Sequence, residues 1–565
     1  MQNNDSKVSR KLTELFFRPL RNHFNEKIMF MKKLFTLLFL IFVVNQLQAQ
    51  SQYQPYSYQF YQKLNREVYN PETRFHSSLK PFFIDDSLLV ERGRQLLSVG
   101  VDSTRHSWVS RKIFNEHLIE VNKPDYTFYA DFLPDFQIGK DFSGKQNTWL
   151  NTRGYQVGGT VGKKFSFYTS GFENQGQFAK YYTDYAKNIN VVPGQSYNRD
   201  YGSNAGKTSL DWSYATALIS YTPIKYLNIT AGYDKNFIGD GYRSMLLSDV
   251  SSPYPFLKLT GNLGNVQYMA LWAAMQDPSV PKLSYEAGNR KKGGVFHYLD
   301  WNVNNKLSIG FFDSIIWGQT DDLGNKRGFD WGYANPVIFL RPVEASSGSP
   351  DNSMLGLTAK YKFAKEIVAY GQFSLDEFEA SNFFSSNGSP RNKYSWQLGI
   401  RGADVFKIEN LNYLLEYNTA KPYTYTGRTP IVNYTSFAEP LAHRLGANFR
   451  ELIGIANYSW KRFDFTGQLQ YAKYGLSLND QDYGKNLGIP YSKAIKQFGN
   501  YTTQGLRTDL YYAEGRIAYV VNPKYNLRLE LGGIYRKESN AVGTSNTGII
   551  TFGLRSSFRN LYTDF

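Results

Sequence analysis

Six histidines are the first side chains to test for chemistry: His23, His76, His106, His117, His297 and His443. None sits in an HExxH or His-x-His spacing, the arrangements that turn two imidazoles toward one metal, so no metal site is expected. The chain has no cysteine, which removes thiolate ligands, disulfides and a lipid-modified Cys. No GxSxG nucleophile elbow occurs. Asp376 and Glu377 are adjacent carboxylates, but neighbouring side chains on a strand diverge, so joint acid/base work is not expected. These absences point away from an enzyme and from a cofactor. The more informative chemistry is aromatic and cationic. Residues 420–448 hold Lys421, Arg428 and Arg444, which can meet acidic sugars, and Tyr423, Tyr425, Tyr434 and Phe437, whose rings can stack on sugar faces. Asn433 and Glu439 can take hydrogen bonds from hydroxyls. The competing reading is that aromatic loops anchor at a membrane interface. Sugar contacts of this kind are weak singly, so a polymer would be held through many repeats at once.

The elements that position these residues alternate with period two. In Glu514–Arg536, Ile517, Tyr519 and Val521 alternate with Arg516, Ala518 and Val520. After Asn522-Pro523-Lys524, Leu527, Leu529 and Leu531 alternate with Arg528, Glu530 and Gly532. Such alternation puts apolar residues on one face of a strand, and Pro523, which cannot donate to a ladder, belongs in a turn. The pattern recurs from Tyr126 onward and yields eighteen strands: 126–138, 149–161, 165–173, 212–222, 226–237, 255–261, 265–275, 293–303, 306–317, 353–363, 367–378, 393–402, 409–419, 449–459, 462–475, 506–521, 525–536 and 546–558. Short breaks such as Gly162-Lys163-Lys164 and Asn304-Asn305 alternate with long loops at 139–148, 174–211, 238–254, 276–292, 318–352, 379–392, 420–448, 476–505 and 537–545. Short turns on one side and long loops on the other are the asymmetry of a closed antiparallel transmembrane β-barrel, and an even count places both ends, Phe565 included, in the periplasm. Leu227, Ile229, Ala231, Tyr233, Phe463, Phe465, Leu469, Tyr471, Ile550, Phe552, Leu554 and Phe558 are expected to face lipid. Asn228, Thr230, Asp234, Asp464, Thr466, Gln468, Gln470, Thr551 and Arg555 are expected to face the lumen.

Composition agrees with an all-β class. Aromatics make up 17% of the chain, with 44 Tyr and 41 Phe, while mean hydropathy is −0.46, so alternating strands rather than apolar helices carry the apolar surface. Net charge is +16, but the basic residues are scattered among aromatics with no basic block, so nucleic acid is not an expected partner. Residues 1–30 read as an over-long gene start. Residues 31–49 read as a signal peptide: Lys32-Lys33, an apolar Leu34–Val44 and a small Ala49 at the cleavage position. Residues 50–125 lack the alternation and read as a short helical segment, periplasmic or tucked into the lumen. The barrel itself is 126–565.

Four stretches carry a resemblance: DKNFIGDGYRSMLLSDVSSPYPFLKLT from Asp234, ANPVIFLRPVEASSGSPDN from Ala334, YGQFSLDEF from Tyr370, and EYNTAKPYTYT through EPLAHRLGANFREL from Glu416. They resemble the capsule-assembly Wzi family of outer-membrane proteins, and within it the branch named after the gliding-motility protein RemB. The resemblance implies an eighteen-stranded barrel with a helical N-terminal segment, a blocked pore, and a role in retaining or organising surface polysaccharide. Outer-membrane lipid and the barrel-assembly machinery are the further partners it implies. A diffusion channel for small solutes, or a scaffold for motility or secretion machinery, stands as the alternative. Within the matching stretches, Gly239 and Gly241 permit tight backbone, and Asp240 and Arg243 can bond within their loop or meet a ligand. Arg341 with Glu344, and Asp376 or Glu377 with a lumenal Arg, can form internal ion pairs that fill the lumen.

Overall fold

The computed structural model describes residues 52–84, 87–199, 208–328, 331–338, 351–377, 387–556 and 558–565. The expected gene start and signal peptide, and the Arg341–Glu344 pair, lie outside the described residues. From Tyr126 the chain forms β1 (Tyr126–Asp141), β2 (Gln146–Val161), β3 (Phe165–Gln177), β4 (Leu210–Ile224), β5 (Leu227–Asp234) and β6 (Tyr254–Leu263). It continues through β7 (Val266–Asp277), β8 (Arg290–Asn302), β9 (Leu307–Gly318), β10 (Asn352–Ala364), β11 (Ile367–Glu377) and β12 (Lys393–Ala403). The last six are β13 (Leu411–Ala420), β14 (Phe449–Trp460), β15 (Phe463–Leu476), β16 (Leu506–Asn522), β17 (Leu527–Asn540) and β18 (Thr544–Ser556). These eighteen strands close into one antiparallel barrel in chain order. β18 meets β1 through Ile549 to Leu554 opposite Asp141 to Phe136. A short strand, Ile119–Asn122, pairs with the start of β1 and extends that seam. Closure leaves no sheet edge, which a bilayer requires because hydrocarbon offers backbone groups no partner.

Every expected strand is present, and the differences lie in their ends. β1, β2, β17 and β18 run further than their alternation suggests, so the expected loops 139–148 and 537–545 shrink to tight turns at 142–145 and 541–543. Polar residues such as Lys140, Asn147 and Glu538 continue the ladder past the apolar band, where sequence periodicity fades but backbone pairing does not. Pro523 sits in the turn between β16 and β17, beside a register shift at Val520–Asn522.

The two faces sort as alternation requires. Leu529 is 41% exposed on the outside of β17, while Arg528 beside it is 6% exposed and donates to Glu530 at 2.8 Å inside. Leu469, Ile550 and Phe552 are exposed outward, whereas Thr230, Asp234, Asp464, Gln468 and Gln470 are buried. Phe558 is a correction. β18 ends at Ser556, and Phe558 turns inward to pack edge-on against Phe60 with ring centres 5.4 Å apart.

The barrel is filled by its own chain. The segment 52–84 is tied to the barrel by Tyr53 donating to Asp234 (2.8 Å), by ion pairs Lys63–Asp464 (2.7 Å) and Arg66–Asp404 (2.7 Å), and by a hydrogen bond between His76 and Asp300 (2.7 Å). It contributes a helical turn at Tyr58–Tyr61 and a two-residue strand, Leu79–Lys80, that pairs with Phe237–Ile238. The helices α1 (Ser87–Leu96) and α2 (Trp108–Phe114) then lead to the barrel. Residues 235–253 between β5 and β6 fold inward, with Met245, Leu246 and Leu247 fully buried. Phe565 does not stay at the short-turn end of the barrel, where β18 finishes. It is buried against Tyr185 of α3 (Lys180–Ile189), 4.6 Å between ring centres, because 558–565 reverses into the lumen.

Candidate functional site

The backbone of the inward loop decides what can gather at the centre. Gly239 has φ +143°, a conformation only glycine adopts readily. A Cβ at Gly239 would collide with Gln372, and one at Gly241 with Glu416. Both glycines therefore let the loop press against the inner wall of β11 and β13. Asp240 accepts from Tyr69 at 2.9 Å and Ser78 at 3.0 Å, and lies 3.5 Å from Lys360. Burial opposes the charge on Asp240, but Lys360 and Lys80 outweigh it and hold the carboxyl well below the usual range. Lys80 feels the same burial, which pulls it down to about 7 against the attraction of Asp240.

Arg243, 1% exposed, is the hub. Its guanidinium reaches Glu451 on β14 at 3.1 Å and Asp564 of the C-terminal segment at 2.8 Å. Glu451 also bonds His443 at 2.8 Å and accepts from Gln470 on β15 at 2.7 Å. Burial lowers the pKa of His443, with Glu451 opposing it. The backbone N–H groups of Tyr242 and Arg243 donate to Glu416 at 3.0 and 3.2 Å, and Tyr370 donates to the same carboxylate at 2.8 Å. One arginine thus joins the inward loop, two wall strands, the cap loop and the C-terminal segment. Buried charges persist only when matched in this way.

Residues 421–448 form the cap above this hub. Tyr423, Tyr425, Tyr434, Phe437 and Arg444 are buried, so the expected exposed stacking surface does not stand there. The cause is local packing. Tyr425 and Tyr434 stack at 5.9 Å and donate their hydroxyls to the Met245 and Leu246 carbonyls at 3.0 and 2.7 Å. Phe437 packs on Tyr197, and Arg444 pairs with Glu439 at 2.9 Å beneath Phe565. Tyr423, Tyr425 and Phe437 take positive φ values of 67°, 73° and 54°. Each such conformation costs roughly 1–3 kcal/mol for a bulky residue and is tolerated because the buried rings hold it. Asn433 and Glu439 spend their oxygens internally, accepting from Gly427 at 2.7 Å and from Gly194 at 2.8 Å. Of the seven expected sugar contacts, Lys421 is half-buried and Arg428 is exposed. Asp376 and Glu377 pair with Lys393, at 3.1 and 3.4 Å, rather than with an arginine.

Sequence reasoning missed Glu416, Glu451, Lys393 and Asp564. The first three are charges on the inward rows of strands whose outward rows are largely apolar or aromatic, a signal that marks lumenal ion pairs. Nothing in the periodicity marks Asp564.

No protein-family model matches the chain, and no curated protein matches it. Solved structures do. The chain is similar in fold to Wzi of Escherichia coli, with a TM-score of 0.52 and 13% identity over 90% of this chain and 100% of that one. That protein is described as an outer-membrane protein involved in group 1 capsule assembly and a carbohydrate-binding β-barrel. OprD of Pseudomonas aeruginosa matches with a TM-score of 0.39 and 10% identity, covering 76% of this chain and 94% of that one. At 13% identity the likeness to Wzi is one of fold.

Proposed function

We propose that the protein is an outer-membrane β-barrel that retains or organises capsular or exopolysaccharide at the cell surface. The observation that carries the reading is the Arg243 hub. A solute channel needs a continuous polar path, whereas here buried ion pairs tie the inward loop between β5 and β6 to β14 and to the C-terminal segment inside the lumen. The fold of Wzi, whose description is that of a carbohydrate-binding barrel, supports the same reading.

The glycan contact surface in this reading centres on Arg428, the exposed member of 421–448. Its Nε donates to Tyr491 at 3.2 Å and its carbonyl accepts from Ser492 at 2.9 Å, which joins it to the neighbouring loop 477–505. That loop exposes Lys493 and Lys496 together with Phe498 (59% exposed) and Tyr501 (60%). Cations beside exposed rings suit acidic sugars. The buried tyrosines serve as the scaffold beneath. Replacing Arg428, Lys493 and Lys496 together by Gln is expected to release surface polysaccharide while the barrel still inserts. An inserted variant that keeps wild-type polysaccharide contradicts the proposal. A link to surface movement is the finer form of this reading, checked by the spreading of a deletion strain.

A lumenal cavity of 180 Å³ beside Tyr58, Trp212, Arg516 and Arg555 favours the channel as a second reading. Its walls are themselves cross-linked, by Arg555–Asp135 and Arg555–Glu530 at 2.8 and 2.9 Å.

A further inference from the structure

Outside the barrel, the loop-side ends of β13 to β17 carry cations that the lumenal network does not use. Arg450 opens β14 on its outward face and is exposed. Its side chain makes no hydrogen bond or ion pair with any described residue. Across the ladder it stands directly opposite Lys473 of β15. Like charges directly opposite on one face of a sheet destabilise it unless an anion intervenes. Lys473 has Asp509 at 3.3 Å, whereas Arg450 has no such carboxylate among the described residues. Lys421, just beyond β13, is likewise without a carboxylate partner among them, and its ammonium lies 5.4 Å from the Tyr394 ring. Together Lys421, Arg450, Tyr394, Trp396 and Tyr417 border a hollow of 210 Å³ on the outer wall. Trp396 and Tyr417 pack at 5.1 Å beneath it.

The position of this hollow says what would fill it. Directly below, on the same outward rows, lie the exposed Leu398, Leu415 and Leu452. An apolar band topped by aromatic rings and then by unmatched cations follows the profile of a bilayer leaflet: acyl chains, interface, headgroup. We propose that Lys421 and Arg450 bind the phosphate of a phosphorylated outer-leaflet lipid, whose chains run down over Leu415 and Leu452. Phosphate supplies the anion that Arg450, unlike Lys473, lacks among the described residues, and arginine offers it a two-pronged donor. Arg507 and Lys537, at outward positions on β16 and β17, extend the cationic rim for a second phosphate.

The proposal rests on the membrane-spanning reading but not on glycan retention. The test uses detergent-solubilised full-length protein and lipid A carrying two phosphates, with the same lipid dephosphorylated as the comparison, read by native mass spectrometry. Wild type is expected to prefer the phosphorylated form, and Lys421→Gln/Arg450→Gln to bind it about thirtyfold more weakly. Arg428→Gln is expected to bind it as wild type does. No preference of the wild type for the phosphorylated lipid overturns the proposal without recourse to any variant. So does equal binding by the double variant, or displacement of the lipid by an equal concentration of inorganic phosphate, which would mark a site for a free anion. Loss of polysaccharide retention in Arg428→Gln with lipid binding intact separates this site from the glycan surface.

Discussion

The inner and outer faces of the same strands solve opposite problems. On the outside of β17, Leu529 and Leu531 face lipid singly and interchangeably. On the inside, Arg528 and Glu530 belong to a network that extends to Arg555 and Asp135. The wall needs only apolar area, so its residues act nearly independently. The filling needs matched charge, so its residues act as a set. Removing one partner of a buried pair leaves the other uncompensated, which costs more than the pair itself contributes.

The largest effect is therefore expected at the hub. Arg243→Ala leaves Glu451 and Asp564 buried without their cation and is expected to cost about 3–5 kcal/mol. The temperature at which unheated protein loses its folded mobility on a detergent gel measures this, and protease should then reach residues 558–565. A variant as heat-resistant as wild type would break the contrast between set and independent residues. On the wall, Leu529→Arg is expected to hinder insertion at roughly 2–4 kcal/mol, because an arginine would face hydrocarbon. Arg528→Gln keeps an amide donor toward Glu530, whose charge Arg555 still matches at 2.9 Å, and is expected to cost about 1 kcal/mol. Refolding into vesicles followed by urea titration ranks the two. The reverse order would mean that the faces of β17 are assigned the wrong way round. Smallest is Tyr434→Phe, which removes one hydroxyl bond to Leu246, worth about 1 kcal/mol or less. Faster amide exchange confined to 421–448 is its expected signature.

Much of the wall was legible in the sequence because period two encodes which side faces lipid. The Arg528–Leu529 contrast, the lumenal Thr230 and Asp234, and the two glycines of the inward loop were all readable. The filling was less so. Whether a long loop points out or in leaves no trace in strand periodicity, and Tyr423, Tyr425 and Tyr434 looked like surface rings for that reason. The apolar residues interspersed through 431–445 were the available clue, since a loop bathed in water has no use for Leu441, Ala442 and Leu445. The return of Phe558 and Phe565 into the lumen depends on partners hundreds of residues away, Phe60 and Tyr185 among them. No local pattern records such contacts.

The central claim is that the lumen is closed by the chain itself. Single-channel recording of the purified wild-type protein in planar bilayers tests it most directly. An eighteen-stranded barrel is wide enough to conduct if empty. With the Arg243 hub in place, no large steady current is expected, and openings should emerge in Arg243→Ala. Large, stable currents from the wild-type protein would contradict a closed lumen and turn the reading toward a diffusion channel.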